Sequence, residues 1–301
     1  MARRSIKRRA ALLAFAAALS PALLLAQGGR GGGGRGGGGA PPAAAQASAP
    51  LDLTGYWVSL VTEDWRFRMV TPAKGDYASL PGMTPAARAI ADAWDPDKDT
   101  AAGLQCKSYG AAGLMRVPTR LHVTWADENT LKVETDAGTQ TRLLHFGNPT
   151  PPAGDAGLQG FSIASWEGVG GRGGRGGGGG GGGGFGGGGG GGAPPAAALV
   201  NPGAGRGGAG GAAAIRPGAL KIVTTHLSPG YLRKNGVPYG TGTTLTEYFD
   251  RTFEPNGDSL LIVTTIVEDP EYLTGPFYTS THFKRLADTG PGWNPTPCEA
   301  K

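Results

Sequence analysis

Two stretches of this chain cannot build a core, and they decide where folding has to happen. Residues 27–50 read QGGRGGGGRGGGGAPPAAAQASAP, and 168–218 carry a nearly unbroken glycine run around Phe185. Glycine has the most backbone entropy to lose and no side chain to bury, so both stretches are expected to stay disordered. Their Arg-Gly-Gly spacing is irregular, which fits a linker and a surface insertion better than an RNA-binding tail. What remains, 51–167 and 219–301, is roughly 200 residues, ample for one core.

The remaining pieces fit each other. Trp166-Glu167-Gly168 ends one apolar run and Ala219-Leu220-Lys221-Ile222-Val223 begins the next. The insertion therefore reads as an enlarged hairpin loop, tolerable because loop-closure entropy grows only logarithmically with length.

Residues 1–26 have the layout of a secretory signal: Arg3, Arg4, Lys7, Arg8 and Arg9, then an apolar run from Ala10 to Ala26 broken by Ser20 and Pro21. The run is too short for a typical membrane span, so cleavage after Ala26 and no span thereafter are expected. Sec export is the expected route, since Arg3-Arg4 lacks the full twin-arginine pattern. Those five basic residues account for the whole +5 of the 28 basic and 23 acidic side chains. The mature chain is then neutral, and its basic character is no argument for nucleic acid. The destination is periplasmic or secreted.

Cys106 and Cys298 are the only two cysteines. In an oxidising compartment an isolated pair points to a disulfide, and no short ligand spacing suggests a metal or a cofactor.

Strand signals recur at Leu53–Val61, Asp64–Val70, Leu121–Trp125, Thr130–Thr135, Thr139–Phe146, Phe161–Trp166, Leu220–Leu227, Thr243–Arg251, Ser259–Val267 and Phe277–Lys284. Turn formers separate them, among them Asp127-Glu128-Asn129 and Asp136-Ala137-Gly138. One short helix is predicted near 85–94, with Thr84 as its cap and Pro85 in its first turn. The expected fold is mainly β, an antiparallel meander closing into a lipocalin-like barrel, with a β-sandwich as the alternative.

Gly55-Tyr56-Trp57 at the opening strand resembles the start of the lipocalin and avidin (calycin) barrels. The resemblance implies that Trp57 plugs one barrel end beneath a basic residue of the last strand, Lys284 or Arg285. The same residues, with Asp136 to Arg142, Trp166-Glu167-Gly168, Val267 to Pro270 and Pro297-Cys298-Glu299, also resemble a family of uncharacterised exported bacterial proteins. That likeness implies location and fold and no activity.

Two segments are richer than folding demands. Glu63 to Met69 alternates, placing Trp65, Phe67 and Met69 on one face and Arg66 and Arg68 on the other. Gly230 to Tyr239 is a long loop with Tyr231, Arg233, Lys234 and Tyr239. Aromatic rings with guanidinium forks suit carboxylate, phosphate or sugar groups. Trp65, Arg68, Arg116, Tyr231, Arg233 and Tyr239 are thus the expected contacts of a small or extended ligand. An enzymatic alternative, a hydrolase or isomerase, rests on His226 or His282 with Glu247 as a nearby acid. A cell-envelope assembly module tethered by the glycine-rich arm is a third reading. Gly257-Asp258-Ser259-Leu260 spells a hydrolase motif, but it sits in a turn with no Asp-x-x-His after it. The residues leave the ligand and the oligomeric state open.

Overall fold

Alternation of inward apolar and outward polar side chains sets the strands. They are β1 Gly55–Leu60, β2 Arg120–Asp127, β3 Thr130–Thr135, β4 Thr141–Phe146, β5 Phe161–Trp166 and β6 Leu220–Thr225. Then come β7 Gly230–Tyr231, β8 Pro238–Tyr239, β9 Thr244–Phe253, β10 Ser259–Glu268 and β11 Phe277–Arg285. Short helices fill the β1–β2 connection: α1 Trp65–Arg68, α2 Pro85–Ala93, α3 Pro96–Ala101, a 3-10 turn over Gln105–Tyr109, and α4 Ala111–Leu114. The structure, a computed structural model, describes residues 43–154, 157–167 and 218–301, which belong to one compact unit. The stretch expected to be a signal, 1–26, most of the expected 27–50 linker and the expected insertion up to 217 lie outside the described residues.

Nine strands close a barrel in the order β1-β2-β3-β4-β5-β6-β9-β10-β11, with β11 pairing back onto β1. Closure disposes of the sandwich alternative and leaves a lipocalin-like barrel with two departures. Lipocalins use eight strands. The pure meander also fails at one place, because β4 and β5 run parallel, Leu144 opposite Ser162. The connection over 147–160 is long enough to return along the wall, as a parallel pair demands. β5 and β6 pair with Trp166 opposite Leu220, and Glu167 N donates to Ala219 O at 2.9 Å, so residues 167 and 219 lie side by side.

The interior is layered. One half is apolar, with Trp57, Leu121, Val133, Leu144, Ile222, Phe249, Val263 and Phe283 each at most 1 % exposed. The other half is a polar belt of Thr135, Arg142, Ser162, Thr224, Glu247, Thr265 and Thr281, also buried. Within it Arg142 Nη2 and Nη1 lie 2.5 Å and 3.1 Å from the two carboxylate oxygens of Glu247.

Trp57 sits at the apolar end, its indole Nε1 donating to Leu53 O at 3.0 Å. The guanidiniums of Arg285 and Arg251 each lie 5.4 Å from its ring. Arg285 stands opposite Trp57 in the register, whereas Lys284 has the opposite parity and bonds Asp258 at 2.7 Å. Of the two basic residues expected over Trp57, Arg285 takes the place.

The other end carries a cap made from 61–119, 226–243, 269–276 and the C-terminal tail. In it α2 forms as predicted, Thr84 Oγ1 accepting from Ala87 N at 3.2 Å. The segment expected as a strand at 64–70 does not pair: β1 already has β11 and β2 on its two sides. Asp64 turns the chain at φ 52°, and one helical turn follows. Residues 43–50, read as the end of the linker, are instead docked on the β2–β3 turn, Gln46 N donating to Glu128 O at 3.0 Å. Cys106 and Cys298 form a disulfide with Cα atoms 5.1 Å apart, fastening the tail to the cap. Among the described residues no helix is long and apolar enough to cross a membrane.

Candidate functional site

Three segments distant in sequence bring arginines together in the cap. The turn at Asp64 delivers Arg68 from α1, the end of α4 delivers Arg116, and the tip of the β7–β8 hairpin delivers Arg233. The hairpin tip is held firmly. Leu232 N donates to Val237 O at 2.8 Å. Asn235 Nδ2 donates to Asp76 O at 2.9 Å and Ala73 O at 3.2 Å. Gly236 has φ +82°, and a Cβ there would lie 2.3 Å from Trp94, so glycine is required by both conformation and space. The disulfide brings Pro297, Glu299 and Lys301 to the same opening. Between these parts lies a cleft of about 420 Å³.

The three guanidinium residues are nearly removed from water: Arg68 and Arg116 are 7 % exposed and Arg233 is 4 % exposed. Their partners do not match their capacity. Arg68 Nη1 lies 2.6 Å from Glu63 Oε1 and its Nε donates to Arg116 O at 3.0 Å. Arg116 Nη1 bonds Asp64 Oδ2 at 3.1 Å. Arg233 Nη1 donates to Ala78 O at 2.6 Å, and among the described residues it makes no ion pair. Four guanidinium nitrogens, Arg68 Nη2, Arg116 Nη2 and Arg233 Nε and Nη2, have no partner. Burial lowers the pKa of all three groups; for Arg233 burial, joined by the positive charge of Arg116, brings it down to about 10. Each still carries its charge at neutral pH. Lys234 and Lys301 add positive charge to the lining, and Glu299 opposes it. Arg233 also stacks over Phe67 at 4.5 Å.

A cluster of this kind can do one thing well. Guanidinium forks match the oxygens of carboxylate, sulfate or phosphate, and they gain most where water is excluded. Holding an oxyanion is chemistry that such a cluster supports.

The other expected contacts lie elsewhere. Trp65 is on α1 but 64 % exposed, and it is not part of the cleft lining. Tyr231 and Tyr239 are buried, because the β7–β8 loop folds into the cap instead of projecting from it. Tyr231 lies under Lys107 at 5.2 Å, and Tyr239 fills space that glycine leaves at Gly110 and Gly230. Burial pushes both phenols upward, with Asp99 adding to the effect on Tyr231.

The residues of the enzymatic reading are separated. His282 is on the outer face of β11, its Nδ1 3.1 Å from Glu63 Oε2. His226 follows β6 at φ 57° and bonds Thr225 Oγ1 at 2.8 Å. Both carboxylate oxygens of Glu247 face Arg142, inside the barrel. Ser259 Oγ accepts from Arg251 Nε at 2.8 Å, with no histidine involved. Among the described residues, no three His, Cys, Asp or Glu side chains are grouped to hold a metal ion.

Of the six contacts expected for one ligand, Arg68, Arg116 and Arg233 share a cleft lining, and Trp65, Tyr231 and Tyr239 are not in it. Arg142 was missed, although it shares the inward parity of Leu144 and Phe146 on β4, and Glu247 shares that of Leu245 and Phe249 on β9. A charge on the apolar parity of a strand is the available signal for a buried partner. Compared with known proteins, the chain matches no family model, no curated protein and no solved structure.

Proposed function

We propose that this is an exported binding protein, periplasmic or secreted, whose capped barrel holds a small oxyanion-bearing ligand in the Arg68–Arg116–Arg233 cleft. The observation that carries the reading is the convergence of three arginines on one cleft, with only the carboxylates of Glu63 and Asp64 paired to them. Buried polar groups are ordinarily satisfied, and charged ones are costly to leave unmatched. A cap that keeps them so is shaped for a partner that supplies the acceptors. Export is supported by the Cys106–Cys298 disulfide, a bond that persists in oxidising compartments, and by the signal-like first 26 residues.

The test is calorimetric titration of the mature protein with inorganic phosphate and with sulfate, repeated on Arg116→Gln. The account expects binding that weakens with added salt and falls about tenfold or more in the variant, the loss of one charged, desolvated contact. Equal affinity in both proteins, or no binding of either anion, retires the reading.

A further inference from the structure

The lining of the cleft is two-natured. The cations meet apolar side chains: Phe67, Met69, Val70, Val117, Leu232 and Pro297 belong to the same wall. Two of these are held out at the mouth, Met69 at 60 % and Val70 at 66 % exposure. Trp65, 64 % exposed, lies one turn back on the same segment. Single exposed apolar residues are ordinary, but three within six positions beside a buried cation cluster form a patch with a charge at its inner edge. An inorganic anion would use the arginines and leave this rim in water.

Resting on the reading that the cleft binds an oxyanion, we infer that its ligand is a small free amphiphile. Its carboxylate or phosphate head meets Arg116 and Arg233, with the charge of the sealed Arg68 side chain behind them, and a short apolar body covers Phe67, Met69 and Val70 at the mouth. The volume of about 420 Å³ suits one compact molecule of this kind. The head answers the surplus of positive charge on the wall, and the body explains why the flanking segment keeps apolar groups outward.

The experiment compares hexyl phosphate, hexanoate, inorganic phosphate and hexanol as titrants of the mature protein. Hexyl phosphate should bind about tenfold or more tighter than inorganic phosphate, the gain expected when about two methylene groups leave water. In Met69→Ser/Val70→Ser that advantage should vanish while inorganic phosphate binds unchanged, which also shows that the variant is folded. Hexanoate tighter than hexanol shows that the head is required. If hexyl phosphate and inorganic phosphate bind equally, the amphiphile fails and the oxyanion reading stands. If hexanol binds as well as hexanoate, or no anion binds, the oxyanion reading fails with it. Sedimentation with anionic phospholipid vesicles without hexyl phosphate binding would replace the free ligand by a membrane surface and overturn the inference.

Discussion

Arginine is buried in two places in this protein, and the two are built differently. Inside the barrel Arg142 faces Glu247 in a two-pronged pair, with Thr224 Oγ1 3.3 Å from its Nη2 and Ser162 beside Thr224 at 2.7 Å. Its charge is cancelled by a carboxylate buried to the same degree, and only its Nε goes without a partner. In the cap Arg68, Arg116 and Arg233 share the carboxylates of Glu63 and Asp64, and Arg233 has none within ion-pair distance. A matched charge specifies the fold that surrounds it, whereas an excess of buried charge beside a cleft calls for a partner from outside. On the proposed reading, the first is scaffold and the second is site.

The sharpest break of this comparison is in the barrel. Glu247→Gln should leave Arg142 uncompensated and cost about 3–5 kcal/mol in urea unfolding. Replacing both residues, Arg142→Met with Glu247→Leu, should restore most of that loss, because removing a whole buried pair is often neutral. A cost under about 1 kcal/mol for Glu247→Gln would mean that the pair is solvated and the contrast unfounded.

The tail comes next. Cys106→Ser/Cys298→Ser should cost about 2–4 kcal/mol, since the bridge closes a very long loop. It should also loosen Pro297, Glu299 and Lys301 at the cleft, so phosphate affinity should fall with stability. Unchanged affinity would place the tail outside the site.

How much of this was legible beforehand follows from where each signal is stored. The wall strands are recorded locally, because inward residues such as Leu121, Val123 and Val133 recur every second position. Glu63 to Met69 has the same alternation and still forms α1, because pairing partners are a global property and β1 had both of its edges taken. The parallel β4–β5 pair was hidden for a similar reason: 147–160 reads as turn-rich in Gly and Pro, and nothing local says whether a loop reverses the chain or crosses over. Arg68, Arg116 and Arg233 could be picked by type and by their loops. Their meeting depends on the Asp64 turn, the α4 end and the hairpin tip being packed together, and no spacing in the sequence encodes that. Tyr231 and Tyr239 were expected at a ligand because their loop carries two aromatics and two cations, while here that loop is drawn into the cap by Asn235 and Gly236.

Smaller effects sharpen the cap side. Arg233→Met should change stability in anion-free buffer by no more than about 1 kcal/mol, because the loss of the bond to Ala78 O is offset by removing a desolvated charge. The same variant should lose phosphate binding, a separation of stability from function that Arg142 cannot show. Smallest of all, Arg285→Ala should cost about 1 kcal/mol through lost contact with the Trp57 ring, read as a small drop in the unfolding midpoint.

The direct measurement is the thermal midpoint of the mature protein in phosphate against chloride of equal ionic strength, for the wild type and Arg233→Met. At a phosphate concentration near a hundredfold the dissociation constant, the wild type should gain about 2.7 kcal/mol, a rise of roughly 5–10 °C. Arg233→Met should show no shift specific to phosphate. Equal shifts in the two proteins, or none in the wild type, would contradict the claim that the cap arginines are an excess of charge held for a ligand.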